Sequence, residues 1–413
     1  MKRVVLCLVV VLLIAAVAGG GCASSDPLKS DLDSVSAAVV EIRGLTPKEP
    51  VEYNFITTAQ LRDLMGSEIE KEYPEQDVQT EQDVLVLLDL IPADQDLGAM
   101  LLDILTEQVA GFYDDDTGQL YVVTDKGAMG PMEKATLAHE YTHALQDQYF
   151  DLKSLPLDGD DSDAAVAALS LVEGDAVLTQ STYMMQKLTR QEVEAALQES
   201  QAEDMEKFEA APAFVRESLL FPYVEGVNFV LDLGVWDGIN RAYSDLPQSS
   251  EQILHPEKYQ ERDEPQDVAM PDLEAALGPG WRLLDTDVLG ELNLRLYLEA
   301  FVPGAQAELA AAGWDGDRYA YLKDAQGNKT LVMRSVWDSD AEAKEFFAAY
   351  VTFVGQKSAG AWDLVLDKDT ERQWKADNLS LYLGRNGSDV LVIIAPEPAV
   401  VQKVRAAFPD FSG

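Results

Sequence analysis

The sequence predicts an α+β protein in two parts. A mostly helical domain with a small mixed sheet comes first, followed by a smaller α+β domain built from two ββα units. Three observations predict this. Apolar residues recur at helical spacing through much of the first 260 residues, broken by short aromatic and β-branched runs. The pattern then changes to pairs of strands around Gly turns, each pair followed by a helix. Between the two regions lies "ERDEPQDVAMPDL" (261–273), rich in Asp, Glu and Pro, which reads as a linker. The domains are therefore placed at 27–262 and 274–413, with residues 1–21 set apart.

Those first residues read as an export signal: Lys2 and Arg3, an apolar run from Val4 to Ala18, then "GGGCASS". The run is short for a membrane span. Cys22 after small residues resembles a bacterial lipoprotein cleavage site, although Gly19 stands where Leu, Val or Ile is usual. This implies a chain exported and lipid-anchored at Cys22 on the outer face of the cytoplasmic membrane. Cleavage after "AVA" (16–18), releasing a secreted protein, is the other reading. Cys7 lies in the leader and Cys22 is the expected anchor, so the remainder has no cysteine. Thiolate zinc sites and cysteine nucleophiles are excluded, leaving His and carboxylates as ligands.

Along the chain, residues 28–43 form an amphipathic helix, "VEYNFI" (51–56) a strand, and a helix starts near Thr58. The apolar stretch before residue 110 gives two short helices broken at Pro92. "GFYDDDTGQLYVV" is a hairpin around an Asp/Thr/Gly turn. Pro131 opens the next helix, whose stripe is Ala138, Tyr141, Leu145 and Tyr149. A further helix carries Ala165, Leu169, Val172 and Ala176 as its core stripe, and 186–208 read as a polar, acidic helix. Residues 214–260 mix helix with loop. In the second part, strands at 318–324 and 330–337 precede a helix near 339–353. Strands at 379–384 and 389–395 precede one near 397–408.

The net charge is −42, and losing Lys2 and Arg3 makes it −44. Nucleic acid and anionic lipid surfaces are poor partners for such a chain. The densest acidic cluster, "DGDDSD" (158–163), has Leu169 where an EF-hand needs its final Glu, so it reads as a solvated loop feeding a helix.

Chemistry concentrates in "LAHEYTHALQDQYFD" (137–151), which holds two of the three histidines in the chain. His139 and His143 stand at i and i+4, on one helical face, where both rings reach a single metal ion. Glu140 between them is placed as a general base on water. A third ligand is needed. Gln146 and Tyr149 occupy the positions of a short-spaced third histidine, so a carboxylate downstream is the other option. Glu173 interrupts the apolar helix of "AALSLVEGDAVLTQ", where an unpaired carboxylate is costly and a metal removes the cost. Pairing with an Arg, or exposure on a curved face, is the competing account. Asp147, one turn after His143, reads as an acceptor for a ligand histidine.

His139-Glu140-x-x-His143 followed by Glu173 resembles the gluzincin class of zinc metallopeptidases. More narrowly, "TLAHEYTHALQDQYFDL", "LVEGDA", "FPYVEG", "SSEQILHPEKY" and "GWDGDRY" resemble a family of uncharacterised exported bacterial and archaeal zincin-like proteins. The resemblance implies a zincin-like metallopeptidase domain over 27–262. It implies Zn2+ on His139, His143 and Glu173, Glu140 as base, and a peptide or protein as substrate. In several gluzincins an Asp lies one turn after the ligand Glu; here Val177 is there and Asp175 comes two residues on. Gluzincins often take an oxyanion donor from a downstream His or Tyr, which implies His255, with Tyr243 and Tyr223 in reserve. The strand "GQLYVV" (118–123) matches where zincins pair an extended substrate with a sheet edge. The alternatives are a non-catalytic envelope or binding lipoprotein with structural zinc, and a zinc hydrolase of a non-peptide amide.

Overall fold

A computed structural model of the chain describes residues 26–64, 74–108, 111–123, 129–202, 205–358 and 362–411. Residues 1–21, expected to be a leader, and Cys22 lie outside the described residues. The architecture is α+β, with a three-stranded mixed sheet and a seven-stranded antiparallel sheet.

The first part is built on helices. Helix α1 (Asp26–Arg43) precedes the small sheet, and helix α2 (Glu75–Leu87) follows its first strand. That sheet comprises β1 (Glu52–Ile56), β2 (Gly111–Asp114) and β3 (Gln119–Val123), in the order β1-β3-β2. The β2–β3 hairpin is antiparallel, while β1 lies parallel to β3. Strand β3 is therefore central, and the expectation that it offers a sheet edge is corrected. Strand β2 is the edge on its side.

Helix α3 (Pro131–Phe150) starts with Pro at its first position and ends at Asp151, whose φ of 54° is left-handed. Its stripe of Ala138, Tyr141 and Leu145 packs with Leu32, Val35 and Val39 of α1 and with Leu120 and Val122 of β3. Helix α4 (Ser162–Lys187) opens on Asp161, whose carboxylate accepts from the Ala164 N–H. The acidic loop thus caps a helix as expected. The expected single helix over 186–208 is instead split. Helix α4 runs to Lys187, and a new one (Arg190–Ala202) starts from a reciprocal cap between Thr189 and Glu192.

Helix α5 (Ala213–Asp232) carries Pro222 in its interior and crosses α4 at a pair of glycines. A Cβ placed on Gly174 would lie 2.2 Å from the Gly226 carbonyl oxygen, and one on Gly226 would lie 2.2 Å from that of Ser170. The two backbones touch, with no side chain between them.

The second part holds both expected ββα units inside a larger sheet. These are β5 (Trp314–Lys323), β6 (Lys329–Trp337) and a helix over Asp340–Ser358, then β9 (Leu379–Asn386), β10 (Asp389–Ala395) and a helix over Pro398–Ala406. The units join through antiparallel β6–β10 pairing. Strand β4 (Arg282–Asp287) extends one side, and β8 (Glu371–Ala376) with β7 (Asp363–Lys368) the other. Tyr319, Tyr321, Leu331 and Met333 face one way, into a cluster that also holds Val84, Leu169 and Phe229 from the first part. Ala320, Leu322 and Val332 face the other way, against Val400, Val401 and Val404. The two parts thus share a continuous core.

Polar contacts reinforce the joint. Asp83 of α2 accepts from the Tyr321 hydroxyl at 2.8 Å and from Lys329 at 2.7 Å. Asp287 at the end of β4 accepts from the Ser162 N–H at 2.9 Å and from its hydroxyl. The 261–273 stretch lies along β5, with the Gln266 N–H on the Asp315 carbonyl and the Arg318 guanidinium on the Val268 carbonyl.

The glycine contact generates a test. Gly174→Ala should destabilise the protein by about 3 kcal/mol in urea unfolding, because two backbones must separate. Gly355→Ala, in open space on the helix over 340–358, should instead be neutral or gain up to about 1 kcal/mol. Equal midpoints for both variants would contradict the packing.

Candidate metal centre

His139 and His143 project from the buried flank of α3, and Glu173 faces them from α4. All three are buried. The His139 and His143 Nε2 atoms are 3.0 Å apart, and Glu173 Oε2 is 3.1 Å from the first and 3.6 Å from the second. The group can hold a metal ion. Burial opposes charge on both partners, yet their proximity overrides it. Glu173 is held below the ordinary carboxylate range by His143 and His139, and His143 is raised chiefly by Glu173.

The sequence places Glu140 beside the histidines, and the structure turns it toward β2. It accepts a hydrogen bond from the Tyr113 backbone, and a Cβ on Gly111 would lie 3.4 Å from its Cγ. Burial raises its pKa, opposed by the two histidines. The β2 edge and the carboxylate thus meet beside the ligand cluster.

The partners around the ligands differ from those expected. Asp147 does not accept from a histidine: it takes the Tyr113 hydroxyl at 2.8 Å and the Leu152 N–H at 3.2 Å. Gln146, three residues after His143, holds that ring instead, with Oε1 2.7 Å from Nδ1. The Gln146 amide then donates to the Val172 carbonyl and to Asp175, each at 3.0 Å. Asp175 also receives Arg43 from α1 and the Tyr243 hydroxyl. Tyr243 is therefore part of this buried network, not a donor facing the ligand cluster.

His255 is also placed elsewhere. Its Nε2 lies 3.0 Å from Glu291 Oε1, on the helix over Gly290–Glu299. The segment carrying it is tied down where the Ser250 N–H meets Asp163, near the start of α4. Asp163 and Glu173 are ten residues apart on that helix, about 15 Å along its axis. Tyr223 of α5 is the aromatic residue at the cluster. Its ring stacks near His139 with centroids 6.2 Å apart, and its hydroxyl is hydrogen-bonded to Glu173. Burial and the Glu173 and Glu140 carboxylates push that phenol well above its ordinary range, so it keeps its proton. The sequence signal for it was "FPYVEG" with its glycine, which brings α5 against α4 one turn from the tyrosine.

The hydrogen bond to Glu291 raises His255 above its ordinary value, although burial opposes this. A raised histidine stabilises the fold fully below its unfolded value near 6.5 and loses that contribution as pH rises through the folded value. His255→Ala should therefore cost about 1–2 kcal/mol near pH 6 and less at pH 9, measured by urea unfolding, with metal content unchanged. A pH-independent difference, or loss of metal, would place His255 in a different role.

A family described as a domain of unknown function (DUF8575) matches residues 281–405. That span begins just before β4 and ends within the last helix, so it covers the large sheet and leaves the ligand cluster outside. No curated protein matches the chain. No solved structure matches it either.

Proposed function

We propose that this chain is a zinc-dependent endopeptidase acting outside the cytoplasmic membrane. The carrying observation is the geometry of the three ligand atoms. Tetrahedral zinc with ligands at 2.0–2.2 Å sets them about 3.3–3.6 Å apart, and the distances here are 3.0, 3.1 and 3.6 Å. Two imidazole nitrogens and one carboxylate oxygen suit that ion, and three ligands leave a fourth position open. A zinc ion held there supplies Lewis acidity and lowers the pKa of a water to roughly 7.

The surrounding residues support hydrolysis. Glu140 takes a proton from the attacking water and returns it to the leaving amine. The Tyr223 hydroxyl, kept protonated and 38% exposed as a residue, donates to the oxygen that gains charge in the transition state. All four β2 residues are buried, so the preference for a peptide over a small amide rests on the resemblance of the ligand motif to the gluzincins. A structural metal site has no use for a base at position 140. The location rests on the leader and Cys22 of the sequence, and no helix among the described residues is long and apolar enough to cross a membrane.

Metal analysis and casein cleavage, with and without chelator, test this reading directly. Glu173→Gln should strip most of the zinc while leaving the fold intact. Glu140→Gln should keep zinc and lose hydrolysis by about 10²–10⁴-fold, since it removes proton transfer and leaves the ligands. Casein cleavage that survives both changes would sink the proposal.

Tyr223→Phe should keep zinc and lower kcat by about 10²-fold with little change in KM, as expected for a donor used in the transition state. An unchanged kcat would remove Tyr223 from the chemistry.

A further inference from the structure

We propose that Arg43 is a positioning residue for the metal centre, acting through Asp175 and Gln146 on the ring of His143. The inference rests on reading His139, His143 and Glu173 as metal ligands. Arg43 ends α1 and is 1% exposed, an unusual place for a guanidinium. Its Nε donates to Asp175 Oδ1 at 2.7 Å and its Nη2 to Oδ2 at 3.0 Å, a two-point grip on both oxygens. Nη2 also donates to Asn240 at 2.6 Å, and the guanidinium lies 5.1 Å from the Trp236 ring. The carboxylate cannot rotate away from this arrangement without breaking it.

A fixed carboxylate fixes the amide next to it. Gln146 Nε2 faces Asp175 Oδ2 and the Val172 carbonyl. Val172 supplies only an acceptor, and the Asp175 oxygens accept from Arg43, so the NH2 group must point their way. Oε1 is then left to face His143 Nδ1, where it accepts the ring N–H. In the neutral ring that metal ligation requires, a proton on Nδ1 leaves Nε2 bare toward His139 and Glu173. Were the amide reversed, NH2 would meet Nδ1 and the ring proton would move to Nε2, closing the ligand position. A neutral amide thus stands where a carboxylate commonly orients a ligand histidine, and it depends on its neighbours to be held the right way round. Arg43, 132 residues before Asp175 in sequence, holds the last of them.

The test uses the full-length chain with Zn2+ and Co2+ as probes. Affinity is measured by competition with a chromophoric chelator, the Co2+ absorption spectrum reports ligand geometry, and circular dichroism reports folding. Arg43→Met should weaken Zn2+ binding about 10–100-fold and alter the Co2+ spectrum. Arg43→Lys should recover only part of this, because an ammonium cannot grip both oxygens. Adding Asp175→Asn to Arg43→Met should restore much of the affinity, since the Asn carbonyl accepts from Gln146 without needing a cation. Gln146→Leu should weaken binding to the same degree with Arg43 intact, which tests the relay even if Arg43→Met does not fold. If Arg43→Met lowers Tm while folded protein binds both metals as wild type does, Arg43 is structural and the proposal is overturned. Wild-type binding by Gln146→Leu overturns it equally. A wild-type chain that binds neither metal overturns the metal site itself, and the relay with it.

Discussion

The close approach of α4 and α5 at Gly174 and Gly226 is the constraint on which the rest depends. Backbone contact between two long helices needs glycine on both, because any Cβ meets a carbonyl oxygen at 2.2 Å. Glu173 precedes one of these glycines and Tyr223 lies three residues before the other. The contact therefore sets how deep the third ligand sits and brings the phenol over His139. With α4 pinned on this side, its opposite flank lies against α3, where the two histidines are already aligned by helical spacing. The three candidate ligand atoms converge from two helices, and the third helix sets the depth of Glu173 and adds Tyr223 beside His139.

Much of this was legible in the sequence, and the exceptions have physical causes. The i, i+4 histidines and the carboxylate stranded in an apolar helix need only helix geometry and desolvation cost, and both are local properties. The choice between Gln146 and Asp147 is not local. At i+3 and i+4 from His143 either lies near that ring, and it is the Tyr113 hydroxyl of β2 that claims Asp147. Residues 214–260 do mix helix with loop, but where one helix ends and the next begins was not legible, since Pro222 lies inside a helix that a proline would normally end. His255 failed for a similar reason. A residue before Pro projects from a loop, but Glu291, 36 residues away, decides where it points. In the second part, β5, β6, β9 and β10 are apolar runs paired around Gly turns and were found. Strand β7 is largely exposed on both faces and gives no such pattern.

Charge is distributed with a similar economy. The chain has 31 Lys and Arg against 73 Asp and Glu, so cations are scarce, and several of them lie at joints. Lys323 and Lys329 meet Asp83 between the two parts, Lys258 joins Glu251 to Asp338, and Arg43 meets Asp175 inside the first part. The surface is left overwhelmingly negative and repels itself. Shared apolar packing across both parts is what opposes that repulsion, and the 261–273 stretch is laid along β5 where a free linker was expected.

The position of Arg43 has a consequence for the order in which the protein is made. Helix α1 leaves the ribosome early, while Asp175, Asn240 and Tyr243 follow 132 to 200 residues later. Contacts of such sequence separation close slowly, because the chain entropy of a long loop must be overcome before the contact returns anything. The helix with both histidines is therefore synthesised after Arg43 and before Asp175, Asn240 and Tyr243. A chain interrupted before residue 243 carries the histidine motif with an unfinished surround, because Asn240 and Tyr243 are still missing from it.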